Sequence, residues 1–142
     1  SRCIEKLPKK RIFQIGIRSG TKEEFKKMID NKQLINFNTG DDCKIIIDKL
    51  NHFKELPIYI TIDLDWFDPS LLPGTGTPEP GGLFWHDFEK IIKALNSFNI
   101  IGADVVELSP DLDPSGVSSI VAAKVTRSLI MTLDNKPKKE LN

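Results

Sequence analysis

The sequence predicts an α/β fold, a three-layer α/β/α arrangement around a mainly parallel sheet. Three observations predict it. First, Ile58-Tyr-Ile-Thr-Ile62 is an unbroken apolar and β-branched run ending in Asp63, the pattern of a strand covered on both faces. Second, short runs of this kind alternate along the chain with helical apolar stripes, the order expected of strands joined by crossover helices. Third, two of the runs end in acidic residues followed by Pro/Gly-rich or Pro/Asp-rich loops. Open parallel sheets place ligand sites at such carboxyl ends.

The elements follow in order. Ser1–Lys10 is a basic, solvated lead-in, and Arg11–Arg18 reads as a short strand in which Gly16 marks a bulge or close backbone approach. Thr21 with Glu24 has the spacing of a capping box, opening a helix over Lys22–Asn31. Gln33–Thr39 is a short strand or loop. Gly40-Asp41-Asp42 starts a helix over Cys43–Phe53 with Ile46, Ile47, Leu50 and Phe53 as its inner stripe. Leu56-Pro57 ends it and leads into the central strand. After the Pro/Gly loop, Phe84–Phe98 carries Phe88, Ile91, Ile92 and Leu95 on one helical face, with Trp85 as a core or subunit contact. Asn99–Leu108 is the next strand. The last helix runs from Ser115 or Gly116 to about Leu133 on a stripe of Val117, Ile120, Val121, Val125 and Leu129, before a charged tail. Helices are expected on both faces of the sheet.

Composition narrows the function. The chain has 142 residues, one domain's worth, with 20 basic against 20 acidic side chains and a pI of about 6.7. A balanced charge gives no electrostatic preference for nucleic acid or a membrane surface. No apolar run approaches the roughly 20 residues of a membrane span, and no basic-then-apolar leader opens the sequence. Cys3 and Cys43 lack metal-site spacing and read as reduced structural thiols of a cytoplasmic protein.

Chemistry concentrates in Thr61-Ile-Asp63-Leu-Asp65-Trp-Phe-Asp68-Pro69 and the loop behind it. On an extended strand Asp63 and Asp65 project to one side, their Cα atoms about 6–7 Å apart at about 3.3 Å rise per residue. That spacing suits metal ions held roughly 3.5–4 Å apart. Two carboxylates together at a strand end repel, and desolvation raises both pKa values, so a cation is the expected partner. The bland alternative is that one Asp caps the turn, but Asp68 before Pro69 already supplies turn chemistry. Glu107 ends the next strand, the equivalent place. Asp104, inside that strand, reads as structural and needs a hydrogen-bond partner. His52 has no carboxylate or second His at metal-binding spacing, and His86, in the first turn of its helix beside Asp87 and Glu89, can serve catalysis only if that helix start points at the carboxylates. Arg18 is open to anion or subunit contact, with a local salt bridge the favoured role.

The stretch from Thr61 through Pro73-Gly74-Thr-Gly-Thr-Pro-Glu-Pro-Gly-Gly82 resembles the C-terminal signature of the ureohydrolases, the arginase and agmatinase family, and is closest to the agmatinase branch. Gln14-Ile-Gly-Ile-Arg-Ser19 and Asp104-Val-Val-Glu107-Leu-Ser-Pro110 resemble agmatinase segments in the same order. Trp66 departs from the family pattern, where smaller residues are commoner. The resemblance implies an arginase-like α/β/α domain, incomplete in this chain. It also implies a two-manganese centre and hydrolysis of a guanidino substrate to urea and an amine, with agmatine giving putrescine. By matching positions, Asp63 and Asp65 are metal ligands, Asp65 is the catalytic residue, and Glu107 and Thr77 bind substrate. The family's Gly-Gly-Asp-His and Asp-Ala-His-x-Asp motifs are absent, so residues 1–142 are expected to be the C-terminal part of one domain. They would be inactive without their N-terminal half, and homotrimeric or hexameric assembly is the family habit. Two other readings compete: a haloacid-dehalogenase-like phosphatase with Asp63 as nucleophile, and a non-catalytic assembly module.

Overall fold

In the computed structural model, residues 5–8, 11–30, 34–35 and 42–134 are described. The expectations for Cys3, the Cys43 side chain and the charged tail beyond Asp134 fall outside them. Strand β1 (Gln14–Ile15) leads to helix α1 (Lys22–Asp30), strand β2 (Leu34–Ile35) and helix α2 (Asp42–Leu50). Strand β3 (Ile58–Asp63), helix α3 (Trp85–Leu95), strand β4 (Ile100–Val106) and helix α4 (Val117–Asp134) complete the order. The alternation read from the sequence is the alternation observed. Both strand pairs, β1 with β2 and β3 with β4, run parallel. Parallel neighbours need a crossover, and α1 and α3 supply the two.

Local chemistry accounts for the boundaries. The Glu24 N–H donates to Thr21 Oγ1 at 3.2 Å while the Glu24 carboxylate accepts the Thr21 N–H at 2.8 Å. That reciprocal pair satisfies two of the donors a helix start leaves orphaned. Strand β1 is shorter than expected because Gly16 turns to φ +77°, a conformation closed to most side chains. A Cβ there would stand 2.5 Å from the Trp66 indole ring, so the close approach inferred for Gly16 is made by Trp66. The Asp113 carboxylate opens α4 by accepting the Ser115 and Ser118 N–H groups at 3.0 and 2.7 Å. The Ser115 and Ser118 hydroxyls, followed by these N–H groups, hold its pKa well below the usual carboxylate range.

One apolar core joins α2, α3 and α4 to a single face of the β3–β4 pair. Ile46, Leu64, Phe67, Leu72, Phe88, Ile100 and Val125 are buried in it, with Ile58, Ile60, Ile62, Ala103 and Val105 packed against them. Burying one such side chain stabilises by about 1.5–3 kcal/mol. The α4 stripe differs from expectation: Ser118, Val121, Ala122, Val125, Leu129 and Thr132 face the core, whereas Val117 and Ile120 are exposed. Ser118 claims the buried position because its hydroxyl accepts the Gly74 N–H at 2.8 Å. The opposite face of β3–β4 carries Tyr59 at 59% and Val106 at 40% exposure. Helices on both faces are thus not found for this pair among the described residues. No helix among them is long and apolar enough to cross a membrane.

Candidate active site

Strand β3 stops at Asp63, and a single turn of 3₁₀ helix, Leu64–Trp66, carries Asp65. The two acids therefore meet through a turn and not as neighbours along an extended strand. Asp63 caps that turn, its carboxylate accepting the Asp65 N–H at 3.2 Å. The capping role set against metal binding is thus real for Asp63, and it holds the two carboxylates together. Leu64, between them, is fully buried and fixes the turn to the core.

The Pro/Gly loop is folded back over this turn. Asp68 accepts the Ser70, Gly81 and Gly82 N–H groups at 3.0, 2.9 and 3.2 Å. Ser70, through its hydroxyl and its N–H, contributes most to drawing the Asp68 pKa down to about 2. Gly82 admits no side chain, because a Cβ would lie 2.4 Å from the Asp68 nitrogen. With the loop so closed, Thr77 Oγ1 donates to Asp65 Oδ2 at 3.1 Å.

Glu107 arrives from β4. Asp63 stands opposite Val106 in the ladder, so Glu107 follows immediately beside it. It is the one non-glycine residue at positive φ among the described residues, at +68°. Such a conformation costs on the order of 1–3 kcal/mol and clusters at functional sites. Nothing in the sequence announces it. The Asp63 side chain keeps contact with solvent, yet desolvation at the sheet end raises its pKa to about 6, with the Asp65 and Glu107 charges adding. The Asp65 N–H opposes that rise.

The two histidines find their partners elsewhere. His52 Nδ1 lies 3.2 Å from the Asp48 and Lys49 carbonyls at the end of α2. His86 is a solvent-exposed residue 3.9 Å from Glu89. Asp104 has the partners expected of it, the Tyr59 hydroxyl at 3.0 Å and the Thr61 hydroxyl. The salt bridge favoured for Arg18 is not what it makes: among the described residues it donates to the carbonyls of Gly16, Asp65, Trp66 and Glu79.

A cavity of about 1040 Å³ opens between β1 and β3, its wall including Asp63, Asp65, Thr77 and Trp66. Protein interiors seldom leave voids larger than a water molecule. No group of three or more His, Cys, Asp or Glu side chains among the described residues is arranged to hold a metal ion. Asp63 and Asp65 do fit one as part of a coordination sphere: hard oxygen donors whose mutual repulsion a cation would relieve.

A parallel α/β domain with convergent acids at its strand ends defines the class. The Arginase family model matches residues 1–132, and the chain belongs to that family. It is 37% identical over 129 residues to an agmatinase of Chromobacterium violaceum, covering 91% of this chain and 39% of that protein. It is 33% identical over 140 residues to the human mitochondrial guanidino acid hydrolase, covering 93% of this chain and 40% of that protein. The structure of agmatine ureohydrolase from Thermoplasma volcanium superposes with a TM-score of 0.77 at 30% identity, over 99% of this chain and 48% of that one. The chain thus spans about 40% of the length of the curated relatives it matches. Nothing in these matches supports the phosphatase alternative.

Proposed function

We propose that this chain is the C-terminal part of a ureohydrolase domain, and that the whole protein hydrolyses a guanidino compound, agmatine, to urea and putrescine. The observation that carries the proposal is the convergence of Asp63, Asp65 and Thr77 at one sheet end, with Glu107 beside them, in a chain of the arginase family. Agmatine is favoured because relatives at 37% identity are agmatinases.

Asp63 and Asp65 would hold manganese, two ions in the complete site, with Asp65 the residue nearest the chemistry. Guanidinium is resonance-stabilised and a poor electrophile. A divalent metal held there would supply what is needed, by bringing the pKa of a bound water down toward about 7. The protein's own contribution is orientation. A carboxylate can grip a planar guanidinium through two parallel N–H bonds, and Glu107, turned by its positive φ, is assigned that role. Thr77 fixes one oxygen of Asp65 and leaves the other for a cation. Holding the guanidinium carbon close to its attacker is worth far more than binding it tightly.

The cavity between β1 and β3 and the bare face of β3–β4 are assigned to the N-terminal half of the same domain. That half would bring the remaining metal ligands, so the 142-residue chain alone should release no urea. The test is urea release by the full-length protein from agmatine, arginine, guanidinobutyrate and formiminoglutamate, with and without manganese. Agmatine should be turned over fastest. Preference for arginine would overturn the substrate and keep the chemistry, whereas no urea from any of the four would overturn the function.

A further inference from the structure

Arg18 follows the Gly16 turn at the end of β1, and its guanidinium reaches across to the strand end that carries the paired acids. Nη1 donates to the Gly16 and Trp66 carbonyls at 3.3 and 3.1 Å. Nη2 donates to the Asp65 carbonyl and, at 2.9 Å, to that of Glu79. Nε adds a second bond to Glu79 at 3.2 Å. Three separate segments are thus gathered on one planar group: the end of β1, the turn bearing Asp65, and the loop bearing Thr77 two residues before Glu79. Ser19 adds a tie to the same loop, its hydroxyl donating to the Glu79 carboxylate at 3.2 Å.

The choice of acceptors carries the point. A guanidinium bonded to the backbone of an acid-bearing turn could instead form a forked pair with a carboxylate there, neutralise it and fill the place of a cation. Here the donors are used on backbone carbonyls, which fixes the peptide planes and leaves both acid groups uncommitted to arginine. Only a rigid fork of five donors can address several carbonyls at once; a lysine ammonium, a point charge on a flexible stem, cannot.

We infer that Arg18 is a positioning residue for the proposed metal site, locking the Asp65 turn to the Thr77 loop so that the acid pair is preformed for a divalent ion. The inference rests on the ureohydrolase reading for the identity of the ion and deepens it by naming what orders its ligands. Groups that orient metal ligands typically change affinity or activity by about 10–100-fold when removed.

The experiment uses full-length protein, wild type against R18K and R18A. Mn²⁺ binding to the metal-free protein is titrated by electron paramagnetic resonance, alongside hydrogen exchange and urea release. Both variants should bind Mn²⁺ about 10–100-fold more weakly, and kcat should fall more than KM rises. Exchange should quicken in segments 63–67 and 75–80 while segment 117–129, the body of α4, is unchanged. Mn²⁺ affinity of R18K within twofold of wild type would overturn the inference, since charge alone would then suffice. Faster exchange in 117–129 to the same degree would also overturn it, by making Arg18 a support of the whole fold. Should R18A fail to fold, R18K decides. A wild-type protein that binds Mn²⁺ yet releases no urea defeats the hydrolase reading alone, and the R18K affinity still rules on Arg18.

Discussion

The Asp63 carboxylate accepts the backbone N–H of Asp65 at 3.2 Å, so one acid of the pair organises the turn on which the other is carried. This bond lowers the Asp63 pKa, but desolvation, Asp65 and Glu107 outweigh it and leave the value at about 6 against 3.8 for an ordinary Asp. The folded state therefore holds the Asp63 proton more tightly than the unfolded state does. Between about pH 4 and 6 the folded chain binds more protons, and stability falls as pH rises through that window. Asp63→Asn should remove the slope. Denaturant midpoints at pH 4, 5, 6 and 7 should show wild type losing ground to the variant up to about pH 6 and no further. Mn²⁺ should reverse the order at pH 7, because it binds the ionised form.

Asp68 titrates with the opposite sign. Its folded pKa of about 2 lies below the ordinary 3.8, so its contribution is complete above about pH 4 and is lost as pH falls toward 2. Asp68→Ala should abolish that acid-dependent loss and free the loop. The Gly81 and Gly82 amides, which it binds at 2.9 and 3.2 Å, should become the fastest-exchanging of the loop. Protection of both amides unchanged in the variant would refute the latch.

Much of the architecture was written locally. The Thr21–Glu24 box and the Phe88, Ile91, Ile92, Leu95 stripe were legible because capping and amphipathic periodicity act within four residues. Asp63, Asp65 and Thr77 were legible as residue types, and their convergence is real. The way they converge was not, because the break of β3 into a 3₁₀ turn at Leu64 goes with the burial of that side chain among residues distant in sequence. Three other features escaped as well. The phase of α4 is set by a Gly74–Ser118 bond across 44 residues, Arg18 finds three of its four acceptors 47 to 61 residues away, and the positive φ of Glu107 falls on a residue type that does not favour it.

That Gly74–Ser118 bond makes a sharp test of loop packing. Ser118 is fully buried, and a Cβ on Gly74 would approach its side chain to 2.8 Å. Ser118→Ala leaves the Gly74 N–H buried without an acceptor, at a cost of about 1–3 kcal/mol. Gly74→Ala should cost at least as much through the clash, since a packed core does not yield freely to added atoms. Urea denaturation of both variants and the double mutant measures this. Additive losses would show that the two positions do not share one interaction.

Glu107 poses stability against function. Its φ of +68° is strained for any side chain but glycine's, so Glu107→Gly should relieve the backbone. The flexibility of glycine in the unfolded chain offsets about 0.5–1 kcal/mol of the gain, leaving the variant as stable as wild type or up to about 2.5 kcal/mol more so. Glu107→Gln keeps the strain and the shape but cannot pair with guanidinium through an anion. In the full-length protein, turnover should collapse in both variants while Mn²⁺ content stays near wild type. Equal losses of metal and turnover in Glu107→Gln would place the residue with the metal ligands. A Glu107→Gly variant less stable than wild type would show that its side chain holds the fold.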